Sequence, residues 1–210
     1  MFSISSRVIL PVLAMLALNG CAQESEQANI QAAAQPRVTL VTDRGDITLE
    51  LYPEKAPVSV ANFLAYIDQG HYAQGEIYRV VRFDNDQGNP KINVIQGGVN
   101  FDVDAPLPPI AHETTDATGI LHTDGVISMA RLEPGTAASE FFISIGDNPG
   151  LDYGGQRNPD GQGFAAFGRV ISGMEVVQEI HQLRESAPAE DAYFEGQILA
   201  EPVKFSARIN

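Results

Sequence analysis

The sequence predicts a mainly β fold, a closed antiparallel barrel of eight strands that is capped by two α-helices. Three observations lead to this prediction. Many short segments alternate apolar and polar residues, which is typical of half-buried strands. The connections between them are rich in glycine and proline, of which the chain contains 19 and 13. Only two segments show the apolar spacing of a helix, so the fold class is mainly β.

The first two strands are predicted to form a hairpin. Residues 46–52 alternate in polarity, and residues 37–42 before them are rich in β-forming side chains. The turn signal DRGD at 43–46 joins the two segments. One face of the second strand is apolar and carries Ile47, Leu49 and Leu51. This face is expected to be buried.

Two helices are predicted from apolar spacing. The first covers residues 57–69, with Pro57 at a position that suits a helix start and Gly70 able to close its end. Its apolar side chains are Val60, Phe63, Leu64 and Ile67. The second helix follows Gly173 and turns three side chains inward: Met174, Val177 and Ile180.

Six further strands complete the predicted barrel. They cover 76–82, 92–97, 125–130, 140–146, 164–170 and 202–209. The last segment alternates at Val203, Phe205, Ala207 and Ile209. In the segment EFFISI, Phe141, Ile143 and Ile145 share one face, so Phe142 points to the other. If the first three fill the barrel, Phe142 is an outward-facing aromatic.

The first 20 residues are predicted to be an export signal. The apolar run Val8–Leu18 is shorter than the about 20 residues that a membrane span needs, but it fits the apolar part of a signal peptide. The sequence LNGC at 18–21 resembles the lipobox of bacterial lipoproteins, which implies cleavage before Cys21 and lipidation of that cysteine. The alternative is an ordinary secretory signal followed by a chance cysteine.

The rest of the chain is divided into a tether and one domain. Residues 21–36 are polar and rich in Ala and Gln, and we interpret them as a flexible tether, with a short amphipathic helix as the alternative. Residues 37–210 are predicted to form the folded domain. Ala22 follows the cysteine in place of the aspartate that retains some lipoproteins at the inner membrane. The expected location is therefore the periplasm, anchored by lipid to the outer membrane.

Composition and motifs exclude several function classes. The formal net charge is −14 and no cluster of Lys and Arg exists, so a nucleic-acid partner is not expected. Four scattered histidines do not have metal-ligand spacing, and no metal or cofactor is expected. The single cysteine excludes a disulfide framework within one chain. No hydrolase or phosphate-binding motif occurs. We expect a monomer.

Three stretches of the sequence resemble the cyclophilin family. The first is residues 38–72, the second combines YRVV (78–81) with VIQGG (94–98), and the third is GVISMAR…SEFFISI…LD…FAAFGRV within 125–170. The resemblance covers about 38–209. It implies a peptidyl-prolyl cis-trans isomerase that acts on proline-containing unfolded or partly folded polypeptides without a cofactor.

The resemblance also implies roles for individual residues. By its place in YRVV, Arg79 is similar to the family's catalytic arginine, which donates to the prolyl imide nitrogen; from the residues alone it would be interpreted as a surface arginine on a strand. Gln96 is similar to the glutamine that orients that arginine. The implied substrate-binding set around them is Val94, Asn93, Ala130, Arg131, Glu140, Phe142, Leu151 and Phe164.

The sequence departs from the family pattern at several of these positions. Asn93 replaces a bulky aromatic, Val94 a methionine, Glu140 a glutamine, Gly150 a tryptophan or similar group, and Phe164 a histidine. The loop 82–91 is also longer than usual, and its Asp84 and Asp86 lack the further ligands of a calcium loop. We expect altered or weakened activity and weak binding of the cyclic-peptide inhibitor known for the family.

Two alternative functions remain open from the sequence. One is a non-catalytic module or holdase that binds proline-containing peptides on the same barrel. The departures at Asn93, Glu140 and Gly150 suggest this alternative. The other is a lipoprotein scaffold in which the slot, the apolar site that would hold the proline ring, is vestigial.

Overall fold

The structure is a computed structural model that describes residues 35–99 and 105–210. The predicted signal peptide, Cys21 and all but the last two residues of the predicted tether lie outside the described residues. Within the two described ranges, no helix is long and apolar enough to cross a membrane.

Eight antiparallel strands close into a barrel, as predicted. They are β1 (Arg37–Thr42), β2 (Gly45–Leu51), β3 (Gly75–Val81), β4 (Val94–Gly98), β5 (Val126–Met129), β6 (Phe141–Ser144), β7 (Ala165–Ser172) and β8 (Ile198–Ile209). Their order around the barrel is β1-β2-β7-β5-β6-β4-β3-β8, and β8 pairs with β1. The predicted hairpin is β1 and β2, in which Thr42 pairs with Gly45.

The helices are α1 (Pro57–Asp68), α2 (Thr115–Thr118) and α3 (Met174–His181), with 3₁₀ turns at His71–Gln74, Pro149–Leu151 and Ala192–Phe194. The first turn of α1 is held by Glu113, whose carboxylate accepts from the N–H groups of Val58 and Ser59 at 3.0 and 2.7 Å. The predictions of α1 and α3 are confirmed. The sequence did not reveal α2, because a single turn of TDAT has no apolar period.

The barrel interior is apolar and aromatic. Phe63 of α1 lies 5.6 Å from Phe141 of β6 and 5.2 Å from Phe167 of β7, measured between ring centroids. The predicted alternation of β8 is correct for Val203 and Phe205, which are buried. Ile209 is 42% exposed, because it is the last residue of the strand and lies at the barrel rim.

A second, smaller apolar cluster lies outside the barrel wall. Its buried members are Val81, Ile92, Val94, Phe142 and Leu151. Phe142 belongs to it while its neighbours Phe141 and Ile143 belong to the interior core, which confirms the outward direction that the period of two predicted. This outer cluster places the candidate site on the faces of β3, β4 and β6.

Candidate active site

Four adjacent strands place one row of side chains on this outer face. Arg79 of β3 pairs with Gln96 of β4, Gln96 pairs with Phe142 of β6, and Phe142 pairs with Ser128 of β5. Directly opposed residues of antiparallel strands project to the same face. The register of the barrel therefore brings together residues that are as far apart as 79 and 142 in the chain.

A β-bulge adds Tyr78 to the same face. The register of β3 against β4 shifts between Ile77 and Arg79, so two steps of β3 oppose one step of β4. Ile77 and Val80 pack in the interior core, whereas both Tyr78 and Arg79 border the outer cavity. Without the bulge, two consecutive side chains of a strand would point to opposite faces.

Two glutamines hold the Arg79 guanidinium. Its Nη1 donates to Oε1 of Gln96 at 2.9 Å, as the resemblance implied. Its Nε and Nη2 both donate to Oε1 of Gln197 at 3.0 and 2.6 Å. Three of the five guanidinium N–H groups are thus bound by glutamine carbonyls, and the Tyr193 side chain makes a further hydrogen bond to the guanidinium.

Gln197 was not predicted from the sequence. It lies 118 residues from Arg79, is 1% exposed and precedes β8 in a segment without apolar periodicity. Its Nε2 donates to the backbone carbonyls of Asn85 and Tyr193, both at 2.9 Å. These two acceptors fix the orientation of the amide, so its oxygen faces Arg79.

An aromatic pair covers the guanidinium. The Cζ atom of Arg79 lies 4.7 Å from the ring centroid of Phe194 and 5.6 Å from that of Tyr193. Burial lowers the pKa of Arg79 from its ordinary value, while Tyr193 and Tyr78 oppose this effect. An arginine stays protonated in proteins, so the site carries a half-buried positive charge that is fixed in orientation.

A polar chain extends from Gln96 away from Arg79. Nε2 of Gln96 donates to the hydroxyl of Tyr78 at 2.9 Å, and that hydroxyl donates to Oε2 of Glu140 at 2.5 Å. The second carboxylate oxygen accepts from Oγ of Ser139 at 3.0 Å. Burial raises the pKa of Glu140. Burial and the Glu140 carboxylate raise the pKa of Tyr78 far above its usual value, so Tyr78 remains a donor.

The outer cluster forms the floor of a cavity of about 570 Å³. Val94, Phe142 and Leu151 lie in the floor, while Ala130 and Phe164 pack against it and are partly buried. Arg79 and Glu140 lie among the polar groups of the wall. The cavity therefore combines an apolar floor with a cation beside it.

The ring of Phe142 is held on two sides. It stacks on the His122 ring at 5.6 Å between centroids with planes 19° apart, and it meets Phe164 edge to face at 5.3 Å. His122 is itself held by Asp152 at 2.7 Å and Ser128 at 2.9 Å. Ser128 is 0% exposed, so this Ser-His-Asp arrangement supports the slot floor and does not present a nucleophile.

The structure corrects the expected position of Asn93. Its side-chain oxygen accepts from the backbone N–H of Phe83 at 3.2 Å, and it lies outside the cavity lining. Ile92 lines the cavity in its place and is 7% exposed. Residues two apart in an extended segment share a face, so Ile92 is on the side of Val94 and Asn93 is not. The wall therefore has an apolar side chain, Ile92, where the family pattern led us to expect Asn93.

Arg131 borders the cavity, but its guanidinium is bound within the protein. It makes a bidentate pair with Asp160 at 2.8 and 2.9 Å and donates from Nε to the carbonyl of Gly163 at 2.8 Å. Its Cζ atom also lies 5.3 Å from the ring centroid of Phe164. Arg131 thus stiffens the edge of the slot.

The long loop 82–91 packs against the cavity wall. The buried Asp86 carboxylate binds both Nη atoms of Arg157 at 2.8 Å, and Asp84 pairs with Arg82 at 3.0 Å. A Cβ atom on Gly150 would lie 2.3 Å from Cγ of Pro90, so the loop occupies the space that a larger residue at 150 would need. Among the described residues, no group of three or more His, Cys, Asp or Glu side chains is placed to hold a metal ion.

Comparison with known proteins gives the family. Residues 37–199 match the family described as cyclophilin type peptidyl-prolyl cis-trans isomerase/CLD, which covers well over half of the chain. The chain belongs to the cyclophilin family. The resemblance inferred from the three motifs is thereby confirmed.

Individual relatives agree with this assignment. The cyclophilin is 36% identical to peptidyl-prolyl cis-trans isomerase A of Dickeya dadantii (strain 3937) over 183 residues, 86% of each chain. It is 31% identical to peptidyl-prolyl cis-trans isomerase B of Escherichia coli (strain K12) over 175 residues, which is 78% of this chain and 99% of that one.

The fold prediction is also confirmed by a solved structure. A crystal structure of a cyclophilin type peptidyl-prolyl cis-trans isomerase from Cryptosporidium parvum is similar with a TM-score of 0.64 and 20% sequence identity. The similarity covers 84% of this chain and 98% of that chain. At this identity the likeness concerns the barrel architecture alone.

Proposed function

We propose that this cyclophilin is an active peptidyl-prolyl cis-trans isomerase in which Arg79 is the catalytic residue. The observation that carries the proposal is a guanidinium held by Gln96 and Gln197 beside an apolar cavity floored by Phe142. The other groups around the cavity would bind the peptide that flanks the proline.

The reaction needs what this arrangement offers. Rotation about a peptide bond has a barrier of about 18–20 kcal/mol, because the C–N bond has partial double-bond character. A proton donor at the prolyl nitrogen draws its lone pair out of conjugation and so favours the twisted state. Of the five N–H groups of Arg79, three are bound by glutamine and one by Tyr193, which leaves one for the prolyl nitrogen. Since conjugation is weakest in the twisted state, this donation is strongest there, which is the condition for catalysis.

The apolar floor suits the proline ring. Val94, Phe142 and Leu151 are 1–4% exposed and leave a surface without polar side-chain atoms. Burial of a pyrrolidine ring on such a surface contributes free energy by removing apolar area from water. Held there, the ring is fixed while the preceding carbonyl rotates.

The test is an isomerisation assay without a coupling protease, followed by exchange between the cis and trans NMR signals of a prolyl peptide. We expect the purified protein to accelerate exchange and Arg79→Ala to reduce kcat/KM by about 10- to 100-fold, the scale of a hydrogen bond to a charged group. Arg44→Ala is the matched control, because Arg44 pairs with Glu179 on the surface. Equal activity of the parent and Arg79→Ala contradicts the proposal.

The non-catalytic module is the weaker candidate. Two of the three substitutions that suggested it no longer support it. Ile92 lies in the wall where Asn93 was expected, and Pro90 lies against Gly150. It would require peptide binding at the cavity, seen as chemical-shift changes, without faster exchange. The same NMR experiment therefore distinguishes the two functions.

We also propose that the enzyme is a monomer anchored by lipid on Cys21 in the periplasm, at the outer membrane, where it acts on folding envelope proteins. The support is the sequence LNGC after a short apolar run. Mass spectrometry of the mature chain tests it: a lipidated Cys21 at the amino terminus is expected. An unmodified cysteine or an intact Met1 contradicts it.

A further inference from the structure

A continuous hydrogen-bond chain joins the Glu140 carboxylate to the Arg79 guanidinium. Glu140 accepts from the hydroxyl of Tyr78 at 2.5 Å, and that hydroxyl accepts from Nε2 of Gln96 at 2.9 Å. Oε1 of the same amide accepts from Nη1 of Arg79 at 2.9 Å. This chain reaches the guanidinium at Nη1, whereas Gln197 binds Nε and Nη2.

Each link of this chain has one permitted direction while Glu140 is ionised. A carboxylate has no proton, so the Tyr78 hydroxyl has to donate to it. The single hydroxyl proton is then used, and Gln96 has to turn its NH₂ group toward Tyr78. The carbonyl of that amide consequently faces Arg79, which has only donors.

We propose that Glu140 is a positioning residue for Arg79, acting through the direction of the hydrogen bonds between them. The inference rests on the proposed function, in which Arg79 is the catalytic group. The family resemblance implied that Glu140 binds substrate, whereas this proposal gives it a different role. Both carboxylate oxygens already accept hydrogen bonds within the protein, from Tyr78 and Ser139.

The local structure is shaped around this carboxylate. A Cβ atom on Gly98 would lie 2.0 Å from Oε1 of Glu140, so a side chain at 98 would displace it. The backbone of Val99 supplies a further hydrogen bond to Glu140. The glycine at 98 therefore leaves the space that the Glu140 carboxylate occupies.

The titratable groups that face Glu140 are tyrosines. Tyr78 comes from β3, Tyr72 from the 3₁₀ turn at 71–74 and Tyr66 from α1, and each has a raised pKa to which Glu140 contributes. No ion pair of the described residues includes Glu140, and Arg79 is separated from it by two side chains. Burial raises the pKa of Glu140, so this carboxylate is protonated at a higher pH than the carboxylate of a surface glutamate.

Protonation removes the fixed direction of the chain. A neutral carboxyl can donate as well as accept, so the Tyr78 proton is free to turn toward Gln96. The Gln96 carbonyl then has two competing donors, the Tyr78 hydroxyl and the Arg79 guanidinium, and a carbonyl that turns to Tyr78 no longer accepts from Arg79. Part of the population loses an acceptor for the guanidinium, and activity falls on the acid side.

The experiment is a pH profile of kcat/KM from about pH 5 to about pH 8, around and above the ordinary glutamate pKa. In the parent protein we expect a decrease of about five- to tenfold toward acid, the scale of one hydrogen bond. Glu140→Gln can donate and accept at every pH, so it should stay at the low level with a flat profile. Tyr78→Phe breaks the chain and should behave likewise. Glu133→Gln changes an exposed glutamate and should follow the parent.

A parental profile in Glu140→Gln overturns the inference, and so does an acid decrease that persists in that variant. If neither the parent nor any variant is active at any pH, the proposed function fails. The positioning role is then still tested by NMR. The side-chain amide signals of Gln96 should titrate with the Glu140 carboxyl in the parent and stay constant in Glu140→Gln. Amide signals that do not respond to pH in the parent contradict the positioning role irrespective of catalysis.

Discussion

Replacing Gln197 with leucine tests how strongly the second glutamine holds Arg79. Leucine has a similar volume, so the main change is the loss of four side-chain hydrogen bonds: two from Arg79 and two to backbone carbonyls. The bonds to the guanidinium are worth about 1.5–3 kcal/mol each and the neutral ones about 1 kcal/mol. The lower end of these ranges applies, because Arg79 borders an open cavity and can be solvated again. We expect the free energy of unfolding to fall by about 4–5 kcal/mol.

The same substitution should affect catalysis separately from stability. With Gln197 gone, Nε and Nη2 lose their glutamine acceptor, and Gln96 is the one glutamine that still binds the guanidinium. We expect kcat to fall by about tenfold while KM changes little, because the slot floor is untouched. Exchange NMR on a prolyl peptide gives both constants, and the Nε–H signal of Arg79 reports its hydrogen bonding directly.

The control is a substitution in the strand that follows Gln197, which should destabilise the protein without contacting the arginine. Val203 is 3% exposed in β8 and packs in the interior core, so Val203→Ala should cost about 2–3 kcal/mol through lost packing. Its kcat should remain that of the parent at a temperature where both variants are folded. If Gln197→Leu has the kcat of the parent, or if Val203→Ala loses as much kcat as Gln197→Leu, Gln197 does not act on catalysis by holding Arg79.

Four further predictions concern the slot and the loop beside it. Asp86→Ala leaves the Arg157 charge buried and unpaired and should lower the free energy of unfolding by about 3–5 kcal/mol in urea titrations, with no loss contradicting it. Burial raises the pKa of Asp86, but its bonds to Arg157 and two backbone N–H groups outweigh this effect, so the pKa is lowered. The stabilisation from this ion pair is therefore present above the ordinary aspartate pKa and is lost as the pH falls through the lowered value. Urea titrations at several pH values measure this loss. Gly150→Ala brings a Cβ atom within 2.3 Å of Pro90, so thermal unfolding should occur at lower temperature, and an unchanged Tm would show that the loop yields freely. Phe142→Ala removes the ring from the slot floor and should raise KM by about tenfold or more for a prolyl peptide; an unchanged KM would place the proline elsewhere.

The sequence predicts those parts of the site that follow from strand periodicity. The alternation in EFFISI is enough to turn Phe142 outward, and the same rule places Val94 and Gln96 on one face. Applied one step further, it also selects Ile92 and rejects Asn93. The error at Asn93 came from matching positions to the family pattern where the period of two gives the better answer.

Other parts of the site depend on contacts that no local pattern contains. Gln197 reaches Arg79 only because β8 pairs with β3, and the residues before β8 have neither alternation nor helical spacing. Tyr193 and Phe194 cover the guanidinium from the same segment. The bulge that brings Tyr78 beside Arg79 is likewise a property of strand pairing and not of the residues YRVV alone.

The loop 82–91 and the segment before β8 form one connected support for the catalytic arginine. Asp86 of the loop binds Arg157, and Arg157 donates to the Tyr193 hydroxyl at 2.8 Å. Gln197 donates to the carbonyl of Asn85 in the same loop while it accepts from Arg79. The loop that fills the space beside Gly150 therefore also fixes the residue that orients the guanidinium. Loosening the loop at Asp86 should consequently broaden the Nε–H signal of Arg79, although the two side chains are not in contact, and this effect separates a connected support from two independent ones.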